Sequence, residues 1–519
     1  MTRKWWTLTA VCVGVFMLLL DVTIVNVALP DIQQRFHASL SDLQWVIDAY
    51  ALTLAAALLT AGSLADRWGR RALFAAGTVI FTAGSLLCGL ATGPLFLSLA
   101  RAGQGIGGAV MFATSLALLS DAFRGRDRGV AFGVFGAVTG VAVAVGPVLG
   151  GVITSGLGWR WIFFVNVPVG VAALAVTLTR VAESRDPDAA RPDWLGFVTF
   201  SGALGSLVYG LISSGDGWRE TKVVLSLAVA AALLVAFLIV ELVQSRPMLD
   251  LSLFRKPTFI GGLVAAFAIS ASLFSLLTYL VLYLQNQLGL SAVATGLRFL
   301  VLTGAIFITA GVAGRLTTLV PVGWMIGSGF ALIGIGLLAM RGLSVTSDWT
   351  HLVPGLLLAG AGAGLVNVPL ASTAVGVVEP ARAGMASGIN STLRQVGIAT
   401  GIATLGSLFT ARLRDTAAHE LARTSLSAQA HQIASGLGGA KGAGALNGAP
   451  PAAQRLVGEA ARTGFVGGLN LILLVGAVIA LAAAVTSVLL IRARDFVTED
   501  GPPADEASPA GEIAPAPAM

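Results

Sequence analysis

Leu20-Asp21-Val22-Thr23-Ile24-Val25-Asn26-Val27-Ala28-Leu29-Pro30 closes the first long apolar segment of the chain and puts a carboxylate inside a helix long enough to span a membrane. Counted back from Pro30, Asp21 lies about nine residues in, or roughly 13 Å at 1.5 Å per residue. An ionisable side chain at that depth is costly and is expected to face a protein interior or a water-filled cavity. An apolar surround favours the neutral form of a carboxylate, so a group placed there can exchange protons as its surroundings change. That is what a proton-coupled carrier requires. The competing reading is an aspartate near the interface that snorkels to water.

The rest of the composition agrees with a membrane setting. Of 519 residues, 56% are hydrophobic and only 11% charged, and the mean hydropathy is +0.85. A soluble domain carries about 25% charged residues, so this chain cannot cover a soluble surface. The net charge of +6 is spread singly between apolar runs; it suits membrane orientation rather than nucleic-acid binding, and no nucleic-acid partner is expected. Cys12 and Cys88 fall in different segments and are expected unpaired. The first segment is long enough to span and is read as retained rather than cleaved.

Apolar segments near 5–29, 42–64, 72–92, 95–119, 129–155, 161–180, 194–213, 222–243, 258–284, 293–313, 321–340, 352–375, 384–411 and 464–491 predict fourteen membrane helices. Short loops on the side of the N-terminus carry Arg67, Arg70, Arg71, Arg124, Arg126, Arg128, Arg180, Arg185, Arg191, Arg246, Arg255 and Lys256, against Arg35, Arg160, Arg219, Lys222 and Arg341 on the other. The positive-inside rule then puts both termini in the cytoplasm of a multi-pass cell-membrane protein. Trp5, Trp6, Trp45, Trp159, Trp161, Trp194, Trp218, Trp324 and Trp349 fall near span ends, where an aromatic belt belongs. Residues 412–463 form a long external loop whose first part, Leu413 to Leu437, is a candidate helix. The Pro/Ala-rich acidic tail, 496–519, reads as disordered.

A weak internal repeat divides the chain. Thr60-Ala61-Gly62 ahead of Arg67 recurs as Thr309-Ala310-Gly311 ahead of Arg315, an offset of 249 (311 − 62). Ala102-Gly103 through Gly107 recurs as Ala359-Gly360 through Gly364, offset 257 (360 − 103), and Gly129 through Gly133 as Gly384 through Gly388, offset 255 (384 − 129). The near-constant offset implies a six-helix half over 1–186, two inserted helices over 187–250, and a second six-helix half over 251–495. Parallel halves of this kind place a substrate site at their interface.

Gly62-Ser63-Leu64-Ala65-Asp66-Arg67-Trp68-Gly69-Arg70-Arg71 bridges spans 2 and 3. Gly62 is read as permitting close helix approach and Gly69 as permitting the reversal. Asp66 is read as lying against a neighbouring helix N-terminus. In span 5, Pro147 interrupts the helical ladder, and Gly140, Gly146, Gly150 and Gly151 allow another backbone to approach. The loop resembles the signature of the major facilitator superfamily. The Asp21 stretch, Arg101-Ala102-Gly103-Gln104-Gly105 and Gly146-Pro147-Val148-Leu149-Gly150-Gly151 resemble its fourteen-helix drug:proton antiporters. The resemblance implies an all-α polytopic major facilitator fold, no enzymatic activity, no cofactor beyond a proton gradient, and proton-driven efflux of small amphiphilic drugs or antibiotics by alternating access.

Arg101 lies roughly 9 Å inside span 4, and Asp48 at similar depth in span 2, so Asp21, Asp48 and Arg101 are expected in one layer of the first half. Asp21 is read as the main proton site, Asp48 as a second proton or cation site, and Arg101 as the cation that pairs with them in one conformation. The alternative for Asp48 is an interfacial aspartate beside Trp45 and Tyr50. The spans of the second half contain Arg298, Arg394, Gln395, Asn367 and Asn390 but no acid, which argues against dicationic substrates. Asn26, Gln104, Asn367, Asn390, Arg394 and Gln395 are candidates to line the substrate path, with polar packing as the alternative. Gly103-Gln104-Gly105-Ile106-Gly107-Gly108 fits a dinucleotide pattern but follows no strand. No phosphate-binding G-x-x-x-x-G-K-[ST] occurs, and His37, His351, His419 and His431 have no metal-ligand spacing. The expected partners are a small amphiphile, protons and the bilayer, with the chain a monomer. A proton-coupled nutrient importer and a dedicated exporter of one metabolite are the alternative functions.

Overall fold

The computed structural model describes residues 3–123, 126–185, 192–244, 249, 251–317, 319–378, 383–437 and 450–496. Arg124, Arg191, Arg246, part of the external segment (438–449) and the tail from 497 lie outside the described residues. There is no strand among the described residues. Among the described residues, thirteen helices are long and apolar enough to cross a membrane, and Val130–Ala142 with Val145–Leu157, bent by 44°, bring the number to fourteen when taken as one span.

The spans are α1 (Arg3–Phe36), α2 (Leu40–Trp68), α3 (Arg70–Gly89), α4 (Pro94–Ala122) and α5 (Arg126–Leu157). Then come α6 (Trp161–Arg180), α7 (Trp194–Ser213), α8 (Thr221–Val243), α9 (Pro257–Gln287) and α10 (Ala292–Leu316). The last four are α11 (Val322–Ala339), α12 (Val353–Gly376), α13 (Ala383–Leu421) and α14 (Pro451–Leu490). The bend in α5 falls at residues 143–144, where the ring of Pro147 clashes with the carbonyl four residues earlier.

Two boundaries and the interior of one span differ from the sequence reading. α1 does not end at Pro30 but runs through it to Phe36, because Ile32 beyond it is wholly buried and a spanning helix tolerates one missing hydrogen bond. Asp21 is therefore about 15 residues, or roughly 22 Å, from the helix end, and at 1% exposure it does not snorkel. The external segment is largely helical: α13 reaches Leu421, a short helix spans Ala430–Gly436, and α14 begins at Pro451. Ala417, Leu421, Ala430, Ala434, Val457 and Ala460 form a small apolar cluster that holds these pieces together. Span α9 is not uniform; π-helical turns occupy Ser270–Phe274 and Tyr283–Gln287.

The packing follows one pattern twice. α2 and α3 pack on α4, α5 and α6 on α1, and α3 on α6; α10 and α11 pack on α12, α13 and α14 on α9, and α11 on α14. The two groups meet along α5–α10 and α2–α13, with α1 against α9 between these seams. α7 and α8 pack on each other, and α7 lies on α2 and α13. α8 buries only Val223, Ala230, Phe237 and Glu241, while Leu225, Val235, Ile239, Leu242 and Val243 are exposed. Such a face is stable only against hydrocarbon.

Candidate functional site: a buried ion pair beside the central seam

Asp21 and Arg101 form an ion pair, Asp21 Oδ2 lying 2.5 Å from Arg101 Nη1. Both residues are 1% exposed. Gln104, one turn along α4, accepts from Arg101 Nη1 at 2.8 Å and donates to Asp21 Oδ1 at 2.9 Å. Asn166 of α6 donates to Asp21 Oδ1 at 3.3 Å and to Ser85 Oγ at 3.0 Å. Arg101 Nε donates to the Val46 carbonyl at 3.2 Å, and its guanidinium stacks 4.1 Å from the Tyr50 ring centroid. A charge pair removed from water is stable only when its remaining donors and acceptors are satisfied; here helices α1, α2, α4 and α6 together satisfy them. Gln104, expected on the substrate path, belongs to this sealed network. Asn166 was missed in the sequence because α6 is otherwise apolar and a lone asparagine in it carries no pattern.

Asp48 does not join the layer expected for it. It is wholly buried, with no hydrogen-bond partner for either carboxylate oxygen. Arg101 pairs with Asp21 instead, and Asp48 lies within electrostatic reach of Tyr279 on α9. Gln44, one turn earlier on the same face, donates to Tyr279 Oη and to the Ile402 carbonyl of α13. The residues lie on one helix, but 3.6 residues per turn divide α2 between two environments that linear depth does not separate. Asp48 is not interfacial either.

In the α2–α3 loop, Asp66 accepts from Arg70 Nε and Nη2 at 2.9 and 2.8 Å, rather than from another helix terminus. The exposed N–H groups at the start of α3 are instead met by Glu183, whose oxygens accept from Arg71 N at 3.0 Å and Ala72 N at 3.1 Å. Arg71 also lies 3.6 Å from Glu183 Oε2. Gly69 turns the chain at φ 109°, a conformation that suits glycine, and the Glu183 carboxylate fills the space a Cβ would need. Arg67 is exposed. Nothing lies within 4 Å of a Cβ built at Gly62, so no helix approaches it closely in this conformation, contrary to its sequence reading.

The α5–α10 seam is tight at one end and open at the other. A Cβ at Gly151 would collide with the Ala292 carbonyl of α10, and one at Gly296 with the Pro147 carbonyl of α5. Gly146 and Gly150 are pressed against Thr23 and Ile24 of α1. Gly140, eleven residues before Gly151 and on the same helical face, meets nothing within 4 Å, and Gly314 of α10 is equally free. The seam thus closes far from the N-terminus and parts toward it. At the closed end a cavity of ≈ 30 Å³ lies between α1, α5, α9 and α10, lined by Thr23, Asn26, Pro147, Phe274, Phe299 and Thr303 among others. That is room for a water or two. Asn26 also accepts from Thr278 of α9 at 2.8 Å. In the second group of helices, Arg394 of α13 donates to Asn367 of α12 at 2.7 Å. Asn390 is 6% exposed, while Gln395 is partly buried. Arg298 is remote from these, stacking 4.7 Å from the Trp349 ring centroid.

Comparison with known proteins adds the relationships. The family description "Major Facilitator Superfamily" matches residues 11–402. The chain is 38% identical over 419 residues to "Multidrug resistance protein Stp" of Mycobacterium tuberculosis, covering 80% of this chain and 78% of that one. It is 34% identical over 504 residues to the "Tetracenomycin C resistance and export protein" of Streptomyces glaucescens, covering 95% and 92%. In fold it is similar to a bacterial homologue of the human lysosomal transporter Spinster, with a TM-score of 0.60 at 19% identity, covering 96% of this chain and 99% of that one.

Proposed function

Because the chain belongs to the Major Facilitator Superfamily, and so is a membrane transporter rather than an enzyme, we propose that it exports small amphiphilic drugs or antibiotics in exchange for protons. The two six-helix groups, 1–186 and 251–495, alternate access to a central site, with helices 187–250 inserted between them and both termini in the cytoplasm. The observation that carries this reading is that α1 serves two sites. Asp21 projects into the Arg101 network of the first half, while Asn26, five residues on and about 140° round the helix, lines the cavity between halves.

Protonation of Asp21 removes the charge that holds Arg101. The guanidinium then keeps Gln104 and the Val46 carbonyl but loses the charge-assisted contact to Asp21, and the position of α1 that the ion pair enforces is less favoured. Thr23 and Ile24 on α1 abut Gly146 and Gly150 of α5, so a shift of α1 bears directly on the seam that closes one end. Proton uptake at Asp21 and a change of cavity shape are coupled through one rigid helix. The names of the relatives, multidrug resistance and tetracenomycin C resistance and export, support the direction of transport.

The test uses the purified full chain in liposomes with ethidium as probe and an imposed pH gradient. Ethidium should move against the proton flux with the wild type and not with Asp21→Asn, while equilibrium ethidium binding survives the substitution. Movement together with protons would overturn the exporter reading, and normal coupling in Asp21→Asn would remove Asp21 from the proton path.

A further inference from the structure

Arg394 is a cation at membrane depth with no counter-ion among the described residues. It lies eleven residues into α13, about 16 Å from the helix start, and the nearest acidic residue along α13 is Asp415, 21 residues or about 31 Å further on. Among the described residues, no carboxylate forms an ion pair with it. Its one hydrogen-bonded side chain is neutral: Asn367 Oδ1 at 2.7 Å. One turn earlier on the same face, Asn390 is 94% buried by its 6% exposure, and its Nδ2 has no acceptor. A guanidinium carries five N–H donors, so the cluster holds a surplus of donors around one positive charge. Arg394 is also partly open, and hydrocarbon is not tolerated beside an unpaired guanidinium.

We infer that Asn367, Asn390 and Arg394 form the recognition site for the acidic end of the exported amphiphile, a carboxylate or phenolate attached to an apolar ring system. A carboxylate or phenolate oxygen accepts from the guanidinium fork and from Asn390 Nδ2 together, a charge-assisted geometry that a cation or an uncharged hydrocarbon cannot use. The unpaired acid of the first half does not compete in this conformation: Asp48 is wholly buried behind the Gln44–Tyr279 contact. The inference rests on the export reading for where the ligand goes, and on these three residues for the charge it carries.

Fluorescein and rhodamine 123 share a xanthene ring system and differ in charge, so they separate the two possibilities. Equilibrium binding to the detergent-solubilised full chain, read by fluorescence anisotropy, should favour fluorescein by about tenfold or more. Arg394→Gln should lower fluorescein affinity by about tenfold while leaving rhodamine 123 within about twofold, and Arg394→Lys should fall between because it lacks the planar fork. Equal binding of the two dyes by the wild type, binding of neither, or unchanged fluorescein affinity in Arg394→Gln overturns the site. The pH-driven liposome assay is independent of this result. With fluorescein loaded in the pH-driven liposomes, discrimination at equilibrium without gradient-driven movement keeps the site and removes antiport; gradient-driven movement with unchanged binding in Arg394→Gln keeps antiport and removes the site.

Discussion

Gln44 on α2 and Tyr279 on α9 are hydrogen-bonded across the two groups of helices, the amide donating to the phenol oxygen at 3.2 Å. Both side chains also donate to one acceptor, the Ile402 carbonyl of α13, each at 3.1 Å. Gly406, one turn beyond Ile402, has no space for a side chain because the Gln44 amide and the Tyr279 hydroxyl occupy it. This three-way contact fastens α2, α9 and α13 at the closed end. Removing the hydroxyl with Tyr279→Phe should weaken closure by about 1 kcal/mol, or about fivefold in the open-to-closed ratio. Spin-label distances between the far ends of α2 and α13 report the ratio; an unchanged distribution would show that the contact does not hold the gate.

The Asp21–Arg101 pair should respond unequally to its two truncations. Arg101→Ala leaves a buried carboxylate with only amide donors and should cost about 3–5 kcal/mol of stability. Asp21→Asn with Arg101→Gln keeps volume and hydrogen bonding while removing both charges, and its melting temperature should lie well above that of Arg101→Ala. Transport should be lost in both. Thermal unfolding of the three proteins in detergent gives the order, and a double variant no more stable than Arg101→Ala contradicts the account of the network.

Asp48→Asn should leave the melting temperature unchanged or raise it. Neither oxygen of Asp48 has a partner in its buried site, and an amide costs less to bury than an ionised carboxylate. A fall of several degrees would mean that the carboxylate makes a stabilising contact in the dominant state. If pH-driven transport falls in the same variant while stability holds, Asp48 acts in coupling.

The two ends of α5 should tolerate side chains differently. Gly151→Val places its Cβ on the Ala292 backbone, where neither helix can yield by a rotamer change, so it should prevent closure and abolish transport. Gly140→Val has open space around it and should express and fold as the wild type, its defect confined to the conformation that closes the other end. Accessibility of single cysteines at the two ends of the seam distinguishes these outcomes. Equal effects of the two substitutions would contradict a seam that is tight at one end only.

Much of this was legible before any fold was known. Depth arithmetic marked Asp21 and Arg101 as buried charges, since only a polar partner makes an ion tolerable at that position, and they are paired at 2.5 Å. The glycines of α5 announced a close approach, and Gly146, Gly150 and Gly151 make it. The failures share one origin. Asp48 was assigned by distance along a helix and Gln104 to the substrate path as a polar residue of a span, yet the direction a side chain faces depends on which helix lies beside it. Asn166 and Glu183 are single polar residues far in sequence from Asp21 and Gly69, and no local pattern couples such pairs.

The apolar runs, their lengths and the scatter of charge were enough to require a polytopic helical membrane protein, because backbone polar groups in hydrocarbon must be satisfied within each helix. The residue types that burial would force together were equally available from the chain, for they follow from desolvation energy alone. Tertiary packing decided their grouping: that Asp21 belongs with Gln104 and Asn166, that Asp48 faces Tyr279 instead, and that Arg394 has only neutral side-chain company. It also decided which end of the α5–α10 seam is closed. Those are properties of contacts between helices distant in sequence, set by which small-residue faces interlock, and no single helix encodes them.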